Sequence, residues 1–163
     1  MKKFELTAEF VTNVFGKKLF RIKALVAFGD VEKGELGGFI EKEDNLSHDG
    51  NAWVYGDAQV SGNARVSGNA RVSGDAQVYG DAQVCGNADY AVVAGFGRYF
   101  RTTTFFRCKD KILRVQCGCF YGDLAQFREI VKKTHGDSKY AKEYLAIADL
   151  MELHFSDECG GEQ

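Results

Sequence analysis

Between Gly50 and Cys85 the apolar positions return every six residues in a fixed order: Gly, Asn or Asp, Ala, a variable residue, Val, a variable residue. Six such units run without a break, from Gly50-Asn51-Ala52-Trp53-Val54-Tyr55 to the one that begins at Gly80, and another starts at Gly86-Asn87-Ala88. Ala and Val stand two residues apart, so a short strand turns both to one side and their neighbours to the other. Gly beside Asn or Asp supplies the bend, because these residues accept left-handed backbone angles and hydrogen-bond locally. A short repeat this strict predicts a parallel β-helix lined by Ala and Val. Counting back by sixes from Ala52 reaches Leu46 and Ile40, so degenerate units begin near Gly37-Gly38-Phe39-Ile40. Counting forward, Tyr90 stands where the next Val is due and the tube ends.

The flanks carry other periods. Phe4 to Val11 and Lys18 to Phe28 alternate as two strands around a turn at Asn13 to Lys17, with Phe20, Ile22, Ala24 and Val26 as an apolar face. A lone hairpin is marginal in water, so this one is expected to pack on the first coil and cover its edge. After the repeats, Arg98 to Arg107 and Ile112 to Cys119 read as a second hairpin around Lys109-Asp110-Lys111, with Cys117 and Cys119 continuing the inward face of Leu113 and Val115. Asp123 with Gln126 three residues on forms a capping box for a helix that buries Leu124, Phe127, Ile130 and Val131 and stops at Gly136. A second helix, from about Ser138 to Phe155, places Tyr140, Tyr144, Ile147, Ala148, Met151 and Phe155 on one face. The chain thus divides into an N-terminal hairpin cap and linker over 1–35, the repeats over 36–93, a hairpin with two helices over 94–156 and a flexible tail over 157–163.

Composition narrows the function classes. A net charge of −2 argues against general nucleic-acid binding. No run approaches a membrane span, and Met1-Lys2-Lys3-Phe4-Glu5 leads into a strand instead of a secretory signal, so a cytoplasmic protein is expected. Five cysteines at irregular spacing read as reduced thiols, and the spacing of Cys117 and Cys119 does not suit zinc. No metal and no cofactor are expected.

Two groups of residues stand out as candidate surfaces. Residues 18 apart stack between coils, which puts Trp53 over Arg71 and Arg71 over Asp89, a cation–π contact followed by an ion pair. From Arg98 to Cys117 six basic residues face one acid, and Arg98, Tyr99, Arg101, Arg107 and Arg114 form a basic and aromatic set suited to phosphate contact with base stacking. The alternative for this hairpin is rings packed on the helices with arginines turned to water. Both faces of Arg98 to Arg107 hold rings, so alternation is poor and the binding reading stays open beside the packed one.

The repeats resemble the left-handed hexapeptide β-helix family, whose coils take three hexapeptides each. That resemblance implies a mainly β fold: a short left-handed parallel β-helix of about three coils, an N-terminal β-hairpin cap and a C-terminal ββαα module. It also implies a homotrimer with ligands at subunit clefts. Many members are acyltransferases that use acyl-CoA and a general-base His. Here no His lies between Gly50 and Gly86, and His48, His135 and His154 suit that role poorly. A further resemblance rests on Phe20-Arg21-Ile22-Lys23-Ala24-Leu25, the stretch from Gly29-Asp30-Val31 through Gly38-Phe39-Ile40-Glu41, the repeats, and Gly97-Arg98-Tyr99-Phe100 with Gly118-Cys119-Phe120-Tyr121-Gly122. On these the chain is similar to hexapeptide-repeat proteins common in bacteriophages and prophages. It implies a non-catalytic accessory protein in a bacterial host cell, with a counter-defence role, that binds a host protein or sequesters a small anionic, nucleotide-like ligand. An acyltransferase and a self-assembling structural protein are the alternatives.

Overall fold

The computed structural model describes residues 2–156; the tail over 157–163, with Cys159, lies outside the described residues. The chain is mainly β with two helices at its C-terminal end. Six two-residue strands, β4 (Trp53–Val54), β5 (Gln59–Val60), β6 (Arg65–Val66), β7 (Arg71–Val72), β8 (Gln77–Val78) and β9 (Gln83–Val84), recur at the repeat spacing. They pair in parallel on three faces, Trp53 with Arg71, Gln59 with Gln77 and Arg65 with Gln83, each 18 residues further along. Every Ala and Val of the six units is buried and belongs to one continuous core, as the pattern predicts. Each coil donates N–H groups to the carbonyls of the next: Asn51 to Gly68 (3.1 Å), Trp53 to Ala70 (3.1 Å), Gln59 to Ala76 (2.9 Å), Ser67 to Val84 (2.9 Å).

The N-terminal module builds onto this tube. Strand β1 (Phe4–Thr12) pairs antiparallel with β2 (Lys18–Ala24), β2 pairs antiparallel with β3 (Leu36–Ile40), and β3 continues in parallel to β5. Ile40 and Leu46 point inward as expected, but in a different register. They pair with Val60 and Val66, so they occupy Val positions and not the Ala positions reached by counting back in sixes. The corner between Leu46 and Val54 is two residues longer than a regular unit, and Lys3 docks on it. The Lys3 N–H donates to His48 Nδ1 (3.0 Å), and its ammonium donates to the carbonyls of Ala52 (2.7 Å) and Gly50 (3.3 Å). Asn45 Nδ2 does the same for the carbonyls of Gly62 (3.2 Å) and Ala64 (2.8 Å).

The C-terminal module has four strands where the sequence suggests two. β10 (Tyr90–Phe96), β11 (Arg101–Arg107), β12 (Leu113–Cys117) and β13 (Phe120–Asp123) form an antiparallel sheet in that order. It lies between the solenoid and the helices α1 (Leu124–His135) and α2 (Lys139–His154). Register sorts its side chains. Tyr90, Val92, Phe106 and Tyr121 join the solenoid core, whereas Ala91, Val93, Phe105, Val115 and Phe120 join the helical core. This explains the rings on both faces of β11: the strand is buried on both sides, so no polar face is required. Asp123 caps α1 as expected, its carboxylate accepting from the Gln126 N–H (2.8 Å) while the Gln126 amide oxygen accepts from the Asp123 N–H (2.9 Å). Two expectations fail locally. Ile130 is exposed because α2 covers the adjacent face of α1, through Phe127 and Val131, and Cys119 is exposed because it sits in the turn between β12 and β13. An aromatic column of Phe15, Tyr79, Tyr121 and Phe106, with successive centroids 4.4, 5.1 and 6.3 Å apart, ties the N-terminal turn, the solenoid and the sheet together.

Candidate anion-binding site

The predicted basic hairpin splits into three separate environments. Arg107, on the helix-facing side of β11, pairs with Asp89 (3.3 Å) and lies over the Phe155 ring, 5.2 Å from its centroid. Arg114, on the solenoid-facing side of β12, pairs with Asp110 (2.9 Å) and also donates to the Ile112 carbonyl (3.3 Å). Hydrogen bonding to Arg114 is the main reason the Asp110 carboxyl is held below its usual range. Both guanidinium groups have carboxylate partners and opposite facings, so they do not converge with the rest of the set.

The remaining three residues do converge. Arg98 and Arg101 both approach the Tyr99 ring, 5.8 and 5.4 Å from its centroid. Among the described residues neither guanidinium has an ion-pair or hydrogen-bond partner. Tyr99 is 67% exposed and Phe100 70%, at the tip of the β10–β11 turn. Phe100 holds a φ of 55°, a left-handed conformation that costs an L-residue about 1–2 kcal/mol. The tip therefore carries two uncompensated cations, an open aromatic face and local backbone strain, a combination that collects at binding sites.

The tip is nevertheless firmly placed. The Gly97 N–H donates to Glu143 Oε1 (2.9 Å), and the Tyr144 hydroxyl donates to the Phe96 carbonyl (3.3 Å). Gly97 has a φ of 82°, and a side chain there would run into the Tyr144 hydroxyl, so only glycine lets the turn lie down on α2. On the other side the Arg101 guanidinium rests against Gly118, at the β12–β13 turn, where a Cβ would displace it. The two sequence segments Gly97-Arg98-Tyr99-Phe100 and Gly118-Cys119-Phe120 thus meet at Arg101. Arg101 also borders a polar groove of about 380 Å³ whose opposite wall includes Asp57, Gln59, Asp75 and Gln77. There Asp57 is engaged by Arg21 (3.3 Å).

The second predicted surface is taken apart. Trp53 and Arg71 are ladder neighbours as the spacing requires, yet Trp53 is 0% exposed. Phe28 packs edge-on to its indole (centroids 5.3 Å), Phe4 lies beyond (6.4 Å), and Gly37 leaves room for it. Arg71 turns instead over the Tyr55 ring (4.9 Å) and pairs with Asp30 (2.8 Å), which also accepts from the Tyr55 hydroxyl (2.9 Å). Asp89 uses its carboxylate to accept from the N–H groups of Cys85 (2.8 Å) and Gly86 (3.2 Å) and to pair with Arg107. The N-terminal cap covers the face that an isolated tube would expose, and spacing within the repeats does not report that.

His48 is structural in the same sense. A backbone N–H can only donate, so Nδ1 is the acceptor for Lys3, and Nε2 carries the proton that Glu43 Oε2 accepts at 3.0 Å. Phe4 stacks on the ring (4.2 Å). With both nitrogens engaged, this imidazole has no lone pair left to take a substrate proton. Among the described residues no group of three or more His, Cys, Asp or Glu side chains could hold a metal ion. No described helix is long and apolar enough to cross a membrane.

Parallel rungs 18 residues apart, Ala and Val inside, and Gly corners define the scaffold that presents this tip. Residues 58–74 and, overlapping them, 64–80 match the family pattern described as the YdcK β-solenoid repeat. These repeats are β-solenoid repeats. The match lies wholly inside the regular units, and the modules that carry the candidate site fall outside it. No curated protein matches the chain.

Proposed function

We propose that this protein is a non-catalytic accessory binder that holds a small anionic, nucleotide-like ligand at Arg98, Tyr99 and Arg101. The observation that carries the reading is the convergence of two guanidinium groups without carboxylate partners on one exposed tyrosine. Arginine binds phosphate in bidentate fashion, and an aromatic ring beside it accepts a planar base, so the cluster offers both halves of nucleotide recognition. The engaged nitrogens of His48 weigh against the acyltransferase alternative. In this reading the solenoid is left-handed, has about three coils and assembles as a homotrimer, with the tips at subunit clefts. The setting is the cytoplasm of a bacterial host, where the protein of a phage or prophage sequesters a signal nucleotide.

Native mass spectrometry of protein purified from bacterial lysate tests the assembly and the cargo together. A trimer carrying a few hundred daltons that vanish on denaturation is expected. Arg98→Glu with Arg101→Glu should release that mass, while Arg107→Glu, which breaks a pair with Asp89, should destabilise the protein instead. A ligand retained by the double variant would remove the tip from consideration. A clean assembly that co-purifies with a host protein through the tip would redirect the reading to an acidic protein surface.

A further inference from the structure

Next to the tip, between the sheet and the helices, runs a groove of about 170 Å³. Phe120, Phe127 and Val131 supply apolar walls, and the exposed Ile130 and Thr134 stand at its rim. An apolar cavity of about 150 Å³ is large enough to hold one benzene ring, so the space in this groove is matched by one six-membered ring. Its polar groups are few. Burial pushes the Tyr144 hydroxyl's pKa up to about 12, so it keeps its proton at neutral pH, and because that proton goes to the Phe96 carbonyl the hydroxyl can only accept from a ligand in the groove. The side chains of Thr134 and His135 form no hydrogen bond among the described residues and are available to the edge of a ring. Arg101 lines the groove and also approaches Tyr99, so one guanidinium without a carboxylate partner serves both the groove and the tip.

We infer that the base of the nucleotide lies in this groove and not on the Tyr99 ring, and that it is a pyrimidine, with its phosphate on Arg101 and Arg98. The inference rests on the reading of the tip as an anion site and adds a ligand class to it. The volume matches a single ring better than a fused bicycle, the apolar walls accept the ring faces, and the charge at Arg101 calls for the phosphate. Thr134 and His135 favour a ring with polar edge atoms over a phenyl group.

Isothermal titration of the full-length protein with UMP, AMP, phenyl phosphate and inorganic phosphate tests this. UMP should bind at least tenfold more tightly than each of the others. Ile130→Trp and Thr134→Trp, both at exposed positions, should fill the groove and weaken UMP at least tenfold with an unchanged circular dichroism spectrum. Amide NMR shifts in the unmodified protein on adding UMP should appear at Cys117, Ile130 and Thr134 as well as at residues 98–101, which keeps the test independent of the variants. AMP binding as tightly as UMP would overturn the pyrimidine assignment, and so would equal binding of phenyl phosphate. If Arg98→Glu with Arg101→Glu abolishes UMP binding while both tryptophan variants retain it, the groove falls and the anion site stands. If none of the four anions binds, both fall.

Discussion

At the leading end of the solenoid the groups left without a neighbouring coil are carbonyls, and at the trailing end they are N–H groups. Within the tube, the carbonyls of Gly68 and Ala70 accept from the coil before them. Their counterparts one coil earlier, Gly50 and Ala52, have no such coil and accept from the Lys3 ammonium, while Asn45 serves Gly62 and Ala64. At the other end Tyr55, Gln59 and Ser67 donate to the next coil, and their counterparts Ser73, Gln77 and Cys85 donate to Tyr90 Oη (3.3 Å), Thr104 Oγ1 (3.0 Å) and Asp89 Oδ2 (2.8 Å). Tyr90 passes its own proton on to the Arg71 carbonyl. A parallel stack has a direction, so its first cap must donate and its last must accept. The N-terminal hairpin and the C-terminal sheet are therefore not interchangeable lids, although both cover strand edges that would otherwise recruit another chain.

Both ends also put apolar side chains into the solenoid core, and the contribution of the trailing end is the easiest to break. Phe106 reaches from β11 into the solenoid core and is fully buried there. Phe106→Ala should cost about 3–5 kcal/mol, read as a lower midpoint in urea unfolding, because it removes a ring and leaves a cavity between solenoid and sheet. The helical core on the other side of the sheet should respond least, so amide exchange is expected to rise in β8 and β9 before it rises in α1.

At the leading end the decisive group is charged, and pH sharpens the contrast. Burial lowers the Lys3 pKa from 10.5 to about 8, with the Asp49 charge opposing the shift. The unfolded chain then holds a proton between pH 8 and 10.5 that the folded protein has released, so stability rises with pH across that window. Lys3→Met removes both the rise and the donors to Gly50 and Ala52, costing about 1–3 kcal/mol for carbonyls left unsatisfied. The difference in unfolding free energy between the two proteins should widen from pH 8 to pH 10. Burial pushes Tyr121 and Tyr144 up to about 12, which lowers the stability of both proteins alike above pH 10 and cancels in that difference. A difference independent of pH would mean that Lys3 titrates as it does in water.

What the sequence makes legible here follows the range of the interaction. The solenoid interior is readable because Ala and Val repeat locally, and so is the start of α1, where cap and partner are three residues apart. The long corner from Ser47 to Asn51 breaks the period by two residues, and nothing local marks the break; it becomes visible only through Lys3, 45 residues away from its partner His48. Strands β10 and β13 escape for the opposite reason. Both are partly buried on both faces, so they lack the alternation by which a strand is recognised. Of the candidate site, the residue types at Arg98, Tyr99 and Arg101 are plain in the sequence. That Arg107 is neutralised is not, because Asp89 lies in the last turn of the solenoid, whereas Arg114 pairs with an acid only four residues before it, Asp110.

The smallest expected effect isolates the acceptor at the trailing end. Thr104 is fully buried, and its hydroxyl accepts from the Gln77 N–H, the group that would bond to a further coil on the β5–β8 face. Thr104→Val keeps the shape and β-branching of the side chain and removes only the oxygen, so packing should change little. The Gln77 N–H is then left without its partner, which should cost about 1 kcal/mol and increase hydrogen exchange at that amide more than at its coil-internal counterpart Gln59. Thr104→Ser restores the acceptor with a smaller side chain and should recover the protection of Gln77 even where it loses stability through packing. Equal exchange at Gln77 in all three proteins would mean that water caps this edge as well as Thr104 does, and the requirement for an accepting cap would then reduce to exclusion of a partner strand.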